Sequence, residues 1–91
     1  MPIIRIPSPL QSYVGNQREI TIGGSSIEEV IFNLTITYPG IKPQIFDPDG
    51  FLRTFVTVFL QDENAKDLKD GLKTSVMEDD HIVIIASMAG G

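Results

Sequence analysis

The chain of 91 residues offers few side chains with the reactivity of a catalyst or the donor atoms of a metal site. It contains no Cys, which excludes a disulfide framework, a thiolate metal site and a thiol nucleophile. Its one His, His81, stands beside a turn with no second His as a partner, and this favours a solvated imidazole. The sequence Asp47-Pro48-Asp49-Gly50 lacks the further ligands and the closing Glu of a calcium-binding loop. We therefore interpret it as a turn.

The other group that could take part in a reaction is the end of the chain, Ser87-Met88-Ala89-Gly90-Gly91. Gly has no Cβ, so two consecutive glycines can enter a channel in which any side chain would clash. The cost is entropic, because a flexible segment must be ordered on binding. A disordered end without a role is the alternative, since Gly is common at chain ends. We predict one domain over residues 1–86 and a flexible tail over residues 87–91 that presents the carboxylate of Gly91.

Composition narrows the classes of partner. The net charge is −5 at pH 7, and the lysines are scattered among Asp and Glu. Nucleic-acid binding needs basic residues gathered on one face, so we set it aside and expect steering toward a basic surface of a partner protein. No signal-peptide pattern begins the chain, and no apolar run is long enough to cross a bilayer. We expect a cytoplasmic protein that is a monomer on its own.

Apolar periodicity predicts two strands and a helix in the first half of the chain. Residues 3–6 form a short apolar strand, and residues 17–22 alternate apolar with polar side chains, as a half-buried strand does. Ser26 and Glu29 have the spacing of a capping box, in which each side chain satisfies a free backbone N–H of the other residue. The helix that follows ends at Pro39-Gly40, and one face of it carries Ile27, Val30, Ile31, Leu34 and Tyr38.

The second half adds strands but no long helix. Residues 41–52 form a connection with at most one helical turn, because they contain two prolines and a glycine. Residues 53–60 and 82–86 are strands, with a short edge strand at residues 65–68 between them. The last strand is apolar on both faces, which places it centrally, beside the first strand. The sequence thus predicts an α+β, β-grasp (ubiquitin-like) fold, a mixed sheet of four to five strands with one main helix packed across it.

Alternation along the third strand also predicts an apolar outer sheet face. If Val56, Val58 and Leu60 pack under the helix, the intervening aromatic residues point away from it. Contiguous exposed apolar surface on a small domain usually marks a binding site. The alternative is that the loops at residues 7–16 and 41–52 cover this face. We favour a docking surface for a partner protein. It consists of four residues of the outer sheet face and one residue of the tail, namely Phe55, Phe59, Val83, Ile85 and Met88.

The last quarter of the chain has a distinctive order of residues, which is Leu72, Thr74 and Val76, then Glu78-Asp79-Asp80, then Ile82-Val83-Ile84-Ile85, then Ala89-Gly90-Gly91. In this order it resembles the ThiS/MoaD family of ubiquitin-like sulfur carriers. Asp79 stands where the family usually has Gly, and Ala86 stands where Pro is frequent, so these residues depart from the family's sequence pattern but the tail does not. The similarity extends over nearly the whole chain through Ile6-Pro7, Leu10, Gln17, the helix, Tyr38, Arg53-Thr54-Phe55-Val56 and Asp62-Glu63. In these residues the pattern is most similar to the CysO-type carriers of cysteine biosynthesis.

This resemblance implies a protein co-substrate rather than an enzyme. A partner, an E1-like adenylating enzyme that holds Mg-ATP, would activate the carboxylate of Gly91, with Gly90 as the slim neighbouring residue, and a sulfur donor would convert it to a thiocarboxylate. The chain itself would bind no cofactor and no metal, and its outer sheet face would dock the adenylating enzyme. The sulfur acceptor would be a cysteine synthase with pyridoxal phosphate, or alternatively the large subunit of molybdopterin synthase or a tRNA-thiolation enzyme.

Two other functions are compatible with the same features. A ubiquitin-like modifier uses the same activated glycyl carboxylate to form isopeptide bonds with lysines, so the tail alone does not distinguish it from a sulfur carrier. A β-grasp interaction domain could also end in Gly-Gly without any chemical role.

Overall fold

The structure, a computed structural model, describes residues 1–87. Its five strands form one mixed sheet in the order β2-β1-β5-β3-β4, and β5 pairs in parallel with β1 and antiparallel with β3. Central placement of the last strand beside the first is therefore confirmed. The strands are β1 (Ile3–Arg5), β2 (Glu19–Thr21), β3 (Val56–Leu60), β4 (Glu63–Asn64) and β5 (His81–Ala86).

Helix α1, Ile27–Thr37, begins at the predicted cap. The Ser26 hydroxyl accepts a hydrogen bond from the Glu29 backbone N–H at 3.2 Å. The Glu29 carboxylate accepts from the Ser25 backbone N–H at 3.1 Å, one residue earlier than a capping box requires. Both oxygens still satisfy backbone donors at the helix start, where no intrahelical partner exists. After α1, the chain forms a turn of 3-10 helix and then the predicted single helical turn, α2 (Lys42–Ile45).

The core lies between one face of α1 and the inner face of the sheet. Four helix residues, Ile27, Val30, Ile31 and Leu34, are fully buried, as predicted. On the sheet, residues of β1, β3 and β5 alternate so that one side of each strand meets the helix. The inner residues at the centre of the sheet are Ile4, Val58, Ile82 and Ile84.

Strands β1 and β2 are shorter than predicted, and three further segments differ from the sequence prediction. The edge strand lies at Glu63–Asn64 and not at residues 65–68, because the Asn64 side chain accepts from Lys66 N–H at 3.0 Å and turns the chain into a 3-10 helix. Strand β3 starts at Val56 because Val56 N–H donates to the carbonyl of Arg53, which makes residues 53–56 a turn. Residues 8–14, predicted as loop, form a 3-10 helix that buries Leu10 and Val14.

The turn before β5 explains the departure at Asp79. Asp79 has a φ of 68°, in the left-handed region that Gly enters freely and that Asp tolerates better than most residues. Asp80 then fixes the start of β5. Its carboxylate accepts from Met77 N–H at 2.8 Å, and its carbonyl accepts from Ile3 N–H at 2.8 Å. The acidic turn thus has a structural role in joining β5 to β1.

Candidate functional site

The outer sheet face is formed by the residues of β3 and β5 that point away from α1. Phe59 is in register with Val83, and Thr57 is in register with Ile85. Cross-strand neighbours of this kind share one face of a sheet. Ile85 is 42% exposed, and Phe59 and Val83 are half-buried. The predicted strand register is therefore right for these three apolar residues. Their role in docking stays a prediction.

Phe55 does not belong to this outer face. It precedes the first residue of β3, and its half-buried side chain packs against the hydrophobic core. The expectation that Phe55 points outward is wrong because residues 53–56 turn rather than extend, so the alternation that holds for Val56, Val58 and Phe59 does not reach back to it. The alternative was that the loops at residues 7–16 and 41–52 cover the outer sheet face. Their apolar side chains are instead buried in the core, namely Leu10, Val14, Ile41 and Ile45.

Strand β5 carries the base of the tail, and its neighbours hold it on both sides. Its pairing with β3 runs from Leu60 opposite Ile82 to Val56 opposite Ala86. One further hydrogen bond extends this pairing, from Ser87 N–H to the carbonyl of Phe55 at 2.8 Å. The chain is thus fixed to the sheet up to Ser87. The predicted site residues Met88, Gly90 and Gly91 lie outside the described residues.

A groove with two arginines lies beside this end of β5. It has a volume of about 310 Å³, and Arg5 and Arg18 line it together with Val83 and Ile85. Arg5 is in register with Val83 across the parallel pair, and the carbonyl of Arg18 accepts from Ile6 N–H at 2.8 Å. Sequence reasoning did not single out these arginines. They are distant along the chain, and only the pairing of β1 with β2 brings them together.

The remaining chemical candidates have structural roles. The Asp47 carboxylate accepts from the backbone N–H groups of Asp49 and Phe51 at 2.9 and 3.0 Å, which confirms a turn. His81 is exposed. Over residues 1–87 no three His, Asp or Glu side chains are grouped closely enough to hold a metal ion. Nor does any helix in that range have the length and apolar character needed to span a membrane.

The fold and the site together define a ubiquitin-like β-grasp protein whose central last strand precedes a sequence with Gly90-Gly91. The model of the ThiS family matches residues 4–91, so the match includes both terminal glycines. The sulfur carrier protein CysO of Mycobacterium tuberculosis is 31% identical over 90 residues, which cover 97% of this chain and 96% of the relative. The chain belongs to the ThiS family, and the resemblance drawn from its sequence is confirmed.

Solved structures give the same result. The crystal structure of Mycobacterium tuberculosis CysO matches with a TM-score of 0.85 and 28% identity, over 97% of this chain and 100% of that one. A chain in the Amycolatopsis orientalis BexX/CysO complex matches with a TM-score of 0.86 and 25% identity, over the full length of both. Small archaeal modifier protein 1 of Methanosarcina acetivorans matches with a TM-score of 0.83 and 25% identity, over 99% and 95% of the two chains.

These similarities confirm the β-grasp fold. They also confirm the kind of protein, since carriers of the ThiS and CysO type are substrates that other enzymes act on and are not enzymes themselves.

Proposed function

We propose that this protein carries sulfur as a thiocarboxylate on Gly91. In the first step, a carboxylate oxygen of Gly91 attacks the α-phosphorus of ATP, and pyrophosphate leaves. In the second, a sulfur donor attacks the carbonyl carbon of the acyl adenylate, and AMP leaves with the bridging oxygen. The product keeps one oxygen and gains one sulfur. A thiocarboxylate is a soft nucleophile, as a thiolate is, so the chain can deliver sulfur without a Cys of its own.

The observation that carries this proposal is the way in which β5 supports the tail. A reacting group at a chain end must enter the active site of a partner enzyme. The residues before it therefore need a rigid attachment to the folded domain. Strand β5 supplies that attachment because it is paired on both sides and its pairing continues to Ser87. The four residues after Ser87 have small side chains apart from Met88, and two glycines lead to the carboxylate. Such a segment suits a narrow channel to a buried nucleotide.

The partners follow from this chemistry. The adenylating, E1-like enzyme would hold Mg-ATP, while this chain would bind no cofactor, and the outer sheet face would dock that enzyme. The Amycolatopsis orientalis CysO chain was crystallised in a complex with BexX, which supports a partner enzyme for proteins of this shape. Similarity to CysO favours a cysteine synthase as the sulfur acceptor over molybdopterin synthase or a tRNA-thiolation enzyme. A cytoplasmic location is part of the same proposal.

The tail can be tested separately from the fold. Deleting Gly91, or adding one residue after it, should abolish ATP-dependent adenylation by the E1-like enzyme, because the reacting carboxylate is then misplaced. The melting temperature should not change, since the described core lies entirely within residues 4–84. One residue added before Met1 is the matched control and should leave adenylation intact. A fall of several degrees on deleting Gly91 would show that the tail is part of the packed structure.

A ubiquitin-like modifier is the second candidate function. The match to small archaeal modifier protein 1 favours it, because that protein has the same fold over nearly the whole of both chains. Both functions share the acyl adenylate and differ in the nucleophile, a lysine amine in one and a sulfur donor in the other. Probing host lysates with an antibody to this chain distinguishes them. A modifier gives a ladder of conjugates that disappears on deleting Gly91, and a dedicated carrier gives the free protein alone.

A further inference from the structure

Charge is unevenly distributed along β5. The strand begins next to a group of acidic residues, because the turn before β5 and the turn after β3 lie side by side. Gln61, which follows β3, donates from its backbone N–H to the carbonyl of His81 at 2.8 Å, and its side chain accepts from His81 N–H at 2.6 Å. The acidic residues of these two turns and of the start of β4 are Asp62, Glu63, Glu78, Asp79 and Asp80.

The other half of the outer face, toward the C-terminal end of β5, has more basic than acidic side chains. The groove beside Val83 and Ile85 contains Arg5 and Arg18 and no Asp or Glu among its lining residues. Glu19, the cross-strand partner of Arg5, lines a neighbouring cavity with both arginines, so two guanidinium groups and one carboxylate lie together there and their net charge is positive. A chain with net charge −5 therefore has a local basic site next to the exposed Ile85, near the C-terminal end of β5.

Neither arginine side chain makes a polar contact within residues 1–87. Within residues 1–87, the guanidinium groups of Arg5 and Arg18 make no hydrogen bond and no ion pair, and both side chains are exposed. Arg53 differs, since its Nε donates to the carbonyl of Pro43 at 2.7 Å. The ion pair found in this range joins the Met1 amino group to Glu78, at the acidic end. Both guanidinium forks are thus available to an external acceptor.

We infer that Arg5 and Arg18 form a basic clamp that receives a carboxylate-bearing segment of the adenylating enzyme while Val83 and Ile85 contact an apolar patch beside it. This inference rests on the proposed function, whose docking face it extends. Arg binds carboxylates in a bidentate, directional way, so two forks at the base of the tail would fix the direction in which the tail points. The acidic turns at the other end of β5 would repel the same segment. The uneven distribution of charge along β5 would therefore favour one orientation of this protein on the partner.

Charge complementarity makes a protein carboxylate the favoured occupant. Nucleic acid would need several phosphate contacts along a basic face, whereas this site has two arginines in a chain whose acids outnumber its bases. The site is also continuous with Val83 and Ile85, and an apolar patch bordered by polar groups, with Arg among them, is typical of a protein interface.

The test compares charge reversal inside and outside the groove. The double variant R5E/R18E has the same net charge as K66E/K69E, whose exposed lysines follow β4 on the opposite edge of the sheet. R5Q/R18Q removes the charge without reversing it. Binding to the host's E1-like enzyme is titrated at low and high salt, and the adenylation rate is measured as a function of carrier concentration. Circular dichroism confirms that each variant is folded.

We expect R5E/R18E to weaken binding by about tenfold or more at low salt, with R5Q/R18Q intermediate and K66E/K69E within about twofold of wild type. The loss should appear in KM and not in kcat, because the clamp positions the carrier without touching the reacting atoms. High salt should reduce the difference, since it screens exposed charge pairs.

Three results would contradict the inference, the proposed function or both, and they can be told apart. If R5E/R18E binds and reacts like K66E/K69E, the clamp is wrong and the proposed function stands. If the wild type binds in an arginine-dependent way but is not adenylated, the clamp stands and the proposed function is wrong. If the E1-like enzyme does not bind the wild type, both are overturned.

Discussion

Gly24 shows how one residue determines the position of the helix over the sheet. It lies between β2 and α1 with a φ of 156°, and its Cα approaches the first full turn of the helix. A Cβ built at this position would lie 2.6 Å from Val30 Cγ2 and 2.8 Å from the Val30 backbone nitrogen. Val30 is fully buried, so it cannot move away from an added methyl group without disturbing the core. The close packing of α1 therefore requires the absence of a side chain at residue 24.

Gly24→Ala should lower the free energy of unfolding by about 1–3 kcal/mol, the range for forcing an extra methyl group into a packed core. Gly23→Ala is the matched control. A Cβ there would meet only Met1 Cε, at 3.6 Å, an ordinary contact, so stability should stay within about 1 kcal/mol of wild type. Chemical denaturation measures both. Equal stability of the two variants would show that α1 does not pack against Gly24 as described.

The positions of some individual residues cannot be predicted from the sequence, because they depend on turns and on strand pairing. Asp79 was recognised as a departure from the family pattern, but its left-handed φ could not be known without the turn geometry. Phe55 was assigned to the wrong face because a turn at residues 53–56 interrupts an alternation that looks continuous in the sequence. Arg5 and Arg18 were missed because pairing of β1 with β2, and not proximity along the chain, makes them neighbours.

At the scale of elements, the strongly periodic segments were predictable and the short ones were not. Helix α1 and the central strand β5 follow directly from apolar spacing, since a helical face and a doubly apolar strand each allow few interpretations. The edge strand β4 has two residues, and one side-chain cap at Asn64 decides where the strand ends and the 3-10 turn begins. Periodicity cannot locate a strand of two residues, because a single repeat shows no alternation.

The packing of α1 gives a prediction at this scale. Leu34 is fully buried, so Leu34→Ala should cost about 2–5 kcal/mol, the range for emptying a buried leucine site. Ile36 lies on the same helix but is 61% exposed, and Ile36→Ala should change stability by less than about 0.5 kcal/mol. Denaturant midpoints of the two variants check both values. A midpoint that barely moves for Leu34→Ala would show that the helix face is wrongly assigned.

For the whole molecule, the two faces of the sheet have separate tasks. The inner face holds the helix and provides stability, whereas the outer face joins an apolar surface, a basic groove and the base of the tail on one side of the protein. Val58 and Phe59 are adjacent on β3 and belong to opposite faces. Val58 is 2% exposed, and Phe59 is half-buried beside Val83. Substituting each by Glu therefore separates folding from docking.

Phe59→Glu should leave the fold intact and weaken binding to the E1-like enzyme by about 2 kcal/mol or more, roughly thirtyfold in affinity, as losing an aromatic anchor at an interface often does. Val58→Glu should unfold the domain or lower its melting temperature strongly, because it places an unpaired carboxylate in the core. A melting curve and a binding titration on each variant test this. A stable Val58→Glu with an unfolded Phe59→Glu would mean that the register is shifted by one residue.

The central claim is that Gly91 carries the sulfur, and intact-protein mass spectrometry tests it most directly. The wild type is incubated with Mg-ATP, sulfide and the E1-like enzyme beside a chain that lacks Gly91. We predict that the wild type gains the mass difference between sulfur and oxygen, that fragmentation places the gain on Gly91, and that the shortened chain is unchanged. A wild type that forms the acyl adenylate but never exchanges oxygen for sulfur would contradict the claim.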